Sequence, residues 1–208
     1  SWSQADQHHF LQTISNEADR LALLVSNLLD LARQEAGLLL LKRIPIRVRD
    51  LVDKIVDRER SEALLSIDIP THLSLVYVDS ARIEVVLRNL IANALLYGGN
   101  QVCIAAEERN EWMIISVTDN GPGIAHDELP HVFERFYRAR QSRHSSGTGL
   151  GLTISKAFIE AHEGKIWAES SAQGTKISFS LPLAPSLTST MPAEKVMALS
   201  LGQERRSL

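Results

Sequence analysis

The sequence predicts an α+β protein: a two-layer α/β sandwich, its mixed and mainly antiparallel sheet covered on one face by helices, preceded by one long helix of the bundle type. Three observations carry this expectation. Residues 4–36 contain no glycine or proline and repeat apolar residues at helical spacing. Two pairs of short apolar runs, 102–107 with 112–118 and 165–170 with 175–181, are separated by polar turns and read as hairpins. Helical patterns are interleaved with these runs, which favours helices stacked on a sheet.

In the long helix, Leu11, Ile14, Ala18, Leu21, Val25, Leu28 and Ala32 alternate steps of three and four, a heptad seam. Leu24, Leu29 and Leu31 widen the stripe beyond a two-stranded zipper, as in a four-helix bundle, and Gly37 stops it. The alternative is a helix packed only on its own domain. Residues 38–46 read as a short strand ending at Pro45, and 50–62 as a helix with Leu51, Ile55 and Val56 inward. Extended pieces are expected at 66–69 and 75–78, around Pro70. Ser80 is the expected N-cap of a helix over 81–97 that Gly98 and Gly99 terminate. A polar turn at Arg109-Asn110 joins the first strand pair.

Residues 120–148 are rich in Gly, Ser, His and Arg, with a short helix expected near 126–135. A helix over 150–161 precedes the second strand pair. The tail after Pro185 has no strong core signal and carries at most a short helix around 193–199. The expected organisation is thus a helical piece (1–37), a sandwich domain (38–185) and a flexible end (186–208).

The 208 residues are 44% hydrophobic and 23% charged, ordinary for a globular chain, and the net charge of −3 gives no bulk electrostatic case for nucleic acid or an anionic membrane. The single cysteine, Cys103, excludes an internal disulfide and reads as a structural thiol in a reducing compartment. No stretch reaches the ~18 apolar residues of a membrane span. The start in mid-helix suggests part of something longer.

Four motifs carry chemistry. Asn89 and Asn93, four apart, point the same way from their helix, and amide oxygens suit Mg²⁺ beside phosphates; solvent-facing amides are the alternative. Asp119 ends an apolar strand and opens DNGPGI, where a carboxylate and two open glycines suit a ligand amine; a plain turn explains the motif as well. GTGLGL from Gly147 opens a helix whose exposed N–H groups suit phosphate, although it is not a P-loop. Between these, in FERFYRAR from Phe133, Phe133 and Phe136 would clip a mobile lid to the core while Arg135, Arg138, Arg140 and Arg143 meet phosphate; a surface loop with solvated arginines is the alternative.

In this order, closed by Gly174-Thr175, the motifs resemble the catalytic ATP-binding domain of bacterial sensor histidine kinases, of the GHKL ATPase superfamily, over residues 40–185. The helix with NEADRLALLVSNLLDLARQEAG resembles the second helix of their dimerisation and histidine-phosphotransfer domain. The resemblance implies the GHKL sandwich, Mg·ATP as phosphoryl donor, an acceptor histidine outside this chain, and relay to the aspartate of a response regulator. It implies a homodimer through the bundle helix, a cytoplasmic location, and no contact of this part with nucleic acid or membrane.

It also implies residue roles. Asn93, with Asn89, is linked to the Mg²⁺ held through ATP; Asp119 bonds the adenine amine, and Gly121, Gly123 and Ile124 shape the base pocket. Tyr97 lies against the nucleotide, and Phe133 and Phe136 anchor the lid. Arg138 reaches phosphate; Gly147, Thr148, Gly149, Leu150 and Gly151 line the triphosphate path; Thr175 closes the adenine end. Asn89, Asn93 and Arg138 are the catalytic group.

Hydrolytic members place a glutamate base where this chain has Asn89, and an amide takes no proton from water. Two departures stand out. Leu96 replaces the lysine usual before Tyr97, and the usual phosphoacceptor motif does not occur. His8 and His9 lie in the wrong context for it, and His126, His131, His144 and His162 read as surface or lid residues with no metal-ligand spacing. The rival readings are a degenerate nucleotide-binding module and a hydrolytic GHKL ATPase.

Overall fold

The computed structural model describes residues 3–56, 64–140 and 148–185. The elements in chain order are α1 (Gln4–Glu35), β1 (Ile44–Ile46), α2 (Val48–Val56), β2 (Leu64–Asp68), β3 (Val76–Val78), α3 (Ser80–Tyr97), β4 (Gln101–Arg109), β5 (Trp112–Asp119), α4 (Gly151–Ala161), β6 (Ile166–Ser171) and β7 (Gly174–Pro182).

The main sheet runs β2-β4-β5-β7-β6. Only β2 and β4 are parallel, and α3 supplies the crossover that a parallel pair needs. The other neighbours are antiparallel, β4–β5 and β6–β7 as hairpins and β5–β7 across α4 and β6; Asn110, with φ of 56°, forms the tight turn between β4 and β5. The apolar residues alternate with period two: Val102, Ile104 and Ala106 on β4, Met113, Ile115 and Val117 on β5, and Ile177, Phe179 and Leu181 on β7 face the helices. Against them pack Leu51 and Ile55 of α2, Ile83, Leu87, Leu90 and Ile91 of α3, and Ile154, Phe158 and Ile159 of α4. The predicted sandwich of one helical layer on a mainly antiparallel sheet is the observed one. A small sheet of β1 and β3 flanks it, joined to the end of β7 by the Val76–Leu183 bridge.

Three local expectations need correction. The strand predicted over 38–46 is confined to Ile44–Ile46. The helix expected near 126–135 is a single 3₁₀ turn, Leu129–His131, because Pro130 sits at its start and the chain turns again beyond it. The N-cap of α3 is Asp79, not Ser80: its Oδ1 accepts from the N–H groups of Ala81 (3.1 Å) and Arg82 (3.3 Å). The second half of the helix expected over 50–62 and the tail helix lie outside the described residues.

Helix α1 begins at a capping box between Ser3 and Asp6. Phe10, Leu11, Ile14, Val25, Leu28 and Leu29 are exposed, and among the described side chains of α1 those buried are Asp30 and Leu31, near its end. There Asp30, 2% exposed, receives both terminal nitrogens of Arg82 from α3, one of them at 3.2 Å. The Arg82 guanidinium also lies 5.3 Å from the Phe158 ring centroid. Among the described residues no helix is long and apolar enough to cross a membrane.

His162, read from sequence as a surface residue, is fully buried at the end of α4. Its Nε2 accepts the N–H of Asp79 (3.0 Å), so Nδ1 carries the proton toward the Phe158 carbonyl (2.7 Å). The segment before β1 is strapped to the same place. The Lys42 N–H donates to Asp79 Oδ2 (3.0 Å), and Arg43 donates to the Ala161 carbonyl (2.8 Å) and Glu163 (2.9 Å). Burial foremost, with the Arg43 charge, lowers the His162 pKa from its ordinary 6.5.

The neutral fold therefore resists a proton that the unfolded chain accepts. The His162 contribution is complete above pH 6.5 and is lost as pH falls from there through the lowered folded-state value. Thermal melts should show Tm falling as pH drops below 6.5, and His162→Gln should melt lower throughout with a flatter dependence. Arg82→Leu, which leaves the buried Asp30 carboxylate only the longer contact from exposed Arg33 (3.5 Å), should cost about 3 kcal/mol in urea unfolding, more than Asp30→Asn; equal costs would refute this account of the pair.

Candidate functional site

A cleft of about 630 Å³ opens between α3, the ends of β5 and β7, and the start of α4. At one end α3 presents Asn89 and Asn93. Asn89 is not a loose amide: its Nδ2 donates to the Gly151 carbonyl (3.0 Å) and to Ser155 Oγ (3.3 Å) across the gap to α4. Its carbonyl oxygen keeps acceptor capacity at the helix start, where Gly149, Gly151 and Thr148 form the wall. Gly149 has φ of 69°, and a Cβ there would meet the Phe136 carbonyl carbon at 2.7 Å.

At the other end stands Asp119. Its Oδ1 accepts the N–H groups of Gly121 (2.9 Å) and Thr175 (3.2 Å), which fixes the carboxylate and leaves Oδ2 as an acceptor. Ser170 ties this end together: its hydroxyl accepts from the Ile124 N–H (2.8 Å), donates to the Gly174 carbonyl (3.1 Å) and lies 2.9 Å from Thr175 Oγ1. Gly123, with φ of 76°, passes so close to the Ser171 carbonyl that a Cβ would lie 1.9 Å from it. Leu90, Ala94, Val117, Leu152 and Ile177 give the cleft an apolar lining, so at this end one acceptor stands beside apolar side chains. Such an arrangement suits an amine-bearing aromatic base.

The stretch from Ile124 to Arg140 forms the outer wall, with Val132, Tyr137, Arg138 and Ala139 facing the cleft. Buried Glu128 accepts from the Arg140 N–H (2.9 Å) and the Tyr137 hydroxyl (3.4 Å). Loss of solvent, and then the Glu128 carboxylate, raise the Tyr137 pKa above its ordinary 10.0. Arg140 pairs with Asp127 at 3.0 Å on the surface.

Of the residues singled out from sequence, Asn89, Asn93, Tyr97, Asp119, Gly123, Ile124, Arg138, Thr148, Gly149, Gly151 and Thr175 line this one cleft. Gly121 lies behind the wall, against Gly98 and the Tyr97 carbonyl. Leu150 is a core residue, buried because the first turn of α4 points it inward. Phe133 packs on the core as expected, and its carbonyl accepts from Thr153 (3.1 Å). Phe136 is no anchor: it is 67% exposed, because a φ of 60° turns the backbone and its ring outward. The wall is clipped there by the backbone, Phe136 N–H to the Gly149 carbonyl at 3.1 Å. Gly147, Arg143 and His144 lie outside the described residues. Sequence reasoning missed Tyr137, Ser155, Ser170 and Glu128. Tyr137 alone left a signal, as an aromatic beside the flagged Arg138.

Residues 78–185 match the family model described as histidine kinase-, DNA gyrase B- and HSP90-like ATPase. Similar proteins include the signal transduction histidine-protein kinase AfsQ2 of Streptomyces coelicolor, 36% identical over 85% of this chain and 33% of that one. Sensor histidine kinase WalK of Bacillus subtilis is 36% identical over 88% of this chain and 32% of that one. The chain thus spans about a third of the length of these relatives. Among solved structures, the histidine kinase AdeS of Acinetobacter baumannii shares the fold with a TM-score of 0.69 at 23% identity, over 89% of this chain and 87% of that one. The mycobacterial sensor histidine kinase MprB gives 0.61 at 26% identity, over 69% of this chain and all of that one. The chain belongs to the histidine kinase-, DNA gyrase B- and HSP90-like ATPase family.

Proposed function

We propose that this chain is the kinase core of a two-component sensor, binding Mg·ATP and delivering its γ-phosphoryl to a histidine that another segment or chain supplies, for relay to a response-regulator aspartate. The observation that carries this reading is the convergence on one cleft of a fixed carboxylate, an apolar lining, an amide pair and a glycine-rich helix start. The relatives named above as sensor histidine kinases support it. Residues 1–37 then form part of a dimerisation and phosphotransfer domain, 38–185 the catalytic domain and 186–208 a tail. The exposed stripe of α1 would pair in a homodimer.

The adenine amine donates to Asp119 Oδ2 while the base lies on Val117, Ile177 and Leu152, with Thr175 and Gly123 closing its edge. Tyr97 flanks the nucleotide. The triphosphate runs toward Thr148, Gly149 and Gly151, where α4 offers backbone N–H groups, and Arg138 adds a cation from the outer wall. The described residues contain no cluster of three or more His, Cys, Asp or Glu fit to hold a metal alone. Neutral amide oxygens at Asn93 and Asn89 fit a hard cation that arrives with the phosphates and neutralises their charge. Asn89 cannot serve as a base, and its Nδ2 is committed to α4. The site therefore positions the phosphoryl group and leaves attack to the acceptor imidazole.

Asp119→Asn keeps the Oδ1 acceptor for both backbone donors but replaces the free acceptor by a donor. Calorimetric titration should show ATP affinity lowered about tenfold to a hundredfold with Tm nearly unchanged. With a supplied acceptor domain, the wild-type chain should label a histidine from γ-labelled ATP while releasing little free phosphate. No transfer with a competent acceptor would sink the kinase reading, and fast hydrolysis would favour an ATPase. Leu96, exposed at the rim, puts a methyl-rich side chain where a cation would meet phosphate. Leu96→Lys should tighten ATP several-fold at low salt; no ATP binding in either form would mark a degenerate module.

A further inference from the structure

Resting on the reading of the cleft as an ATP site, we propose that Glu128 is a positioning residue that sets Tyr137 and Arg138 in the wall at the phosphate end. A carboxylate with a side chain only 7% accessible is kept only where its partners compensate it. Among the described residues, the partners of the Glu128 side chain lie on the outer wall. Its Oε1 accepts the Arg140 N–H at 2.9 Å and the Tyr137 hydroxyl at 3.4 Å, with Arg140 Nε at 3.8 Å. Its own N–H donates to the Ala125 carbonyl (2.9 Å), which makes Glu128 part of the turn that follows Ile124. One buried oxygen thus fastens residues 137 and 140 to that turn.

Between the two fastened positions lie Arg138 and Ala139, and both line the cleft. Just before them the Phe136 N–H is bonded to the Gly149 carbonyl, so this stretch is held on both sides. Gly149 and Gly151 belong to the glycine-rich helix start, and Gly151 touches Asn89. The clamp therefore governs the phosphate end, while the base end depends on Asp119, Ser170 and Thr175. A carboxylate serving only the packing of the fold would have no reason to favour one end of the ligand. The Glu128 clamp should act on the phosphates and spare the base.

The test measures ATP and adenosine affinities on the full 208-residue chain, by competition against a fluorescent ATP analogue. Glu128→Ala should weaken ATP about tenfold and leave adenosine within about twofold. Glu128→Gln, which keeps an oxygen acceptor, should lose less, and Tyr137→Phe should add little in the Glu128→Ala background. Equal losses for ATP and adenosine, or none, would overturn the positioning role. Should Glu128→Ala fail to fold by circular dichroism, Glu128→Gln and Tyr137→Phe carry the test, and an unchanged ATP-to-adenosine ratio in both overturns it. Asp119→Asn in parallel reports on the ATP site itself. A wild-type chain that binds neither ligand, or adenosine binding indifferent to Asp119→Asn, overturns the ATP reading and this proposal with it. Sensitivity to Asp119→Asn with an unmoved ratio in the Glu128 variants overturns the positioning role alone.

Discussion

Asp79 joins three parts of the chain at one buried residue. One carboxylate oxygen caps α3, the other receives the Lys42 N–H, and the backbone N–H of the same residue goes to the buried imidazole of His162. The start of α3, the end of α4 and the segment leading from α1 are thereby referred to a single point. The cleft depends on this. Asn89 sits on α3 and Gly151 on α4, and their 3.0 Å hydrogen bond requires the two helices to keep one relative setting. A buried polar junction of this kind is costly if half satisfied, which gives one arrangement a margin over others. Arg82, in the first turn of α3, extends the junction to Asp30 and Phe158.

The sheet and the helical layer were legible because they rest on periodicity, which is local. Met113, Ile115 and Val117 alternate, and Leu87, Leu90, Ile91 and Ala94 recur at helical spacing. The ends of the cleft were legible for another reason. Glycines at Gly123 and Gly149 mark backbone that L side chains rarely adopt, and such positions betray themselves in sequence.

What escaped was long-range and polar. Nothing near His162 announces that its partner is Asp79, 83 residues earlier; in its own context, before Glu163-Gly164, it reads as a helix end facing water. Ser80 was the expected cap because a hydroxyl suits that position, whereas the carboxylate one residue earlier caps α3 with one oxygen and takes the distant Lys42 N–H with the other. Phe136 misled because aromatic residues usually point inward, whereas a left-handed backbone reversed it. Leu150 sat in a glycine-rich phosphate motif yet followed the older rule that a leucine on a helix's inner face joins the core.

The amide of Asn89 has a consequence for how far this site stands from hydrolysis. On the proposed reading of the cleft as an ATP site, a single exchange to glutamate would install a water-activating base, yet it would also remove the donor that meets the Gly151 carbonyl and Ser155, setting a carboxylate oxygen against a carbonyl oxygen. The protein would lose its α3–α4 tie in the same step that gave it a base. A route to hydrolysis would first have to reshape the turn at Gly151 or the hydroxyl at Ser155. Chemical restraint and mechanical tie share one side chain, so a chance mutation toward wasteful turnover meets a stability barrier before it meets a functional gain.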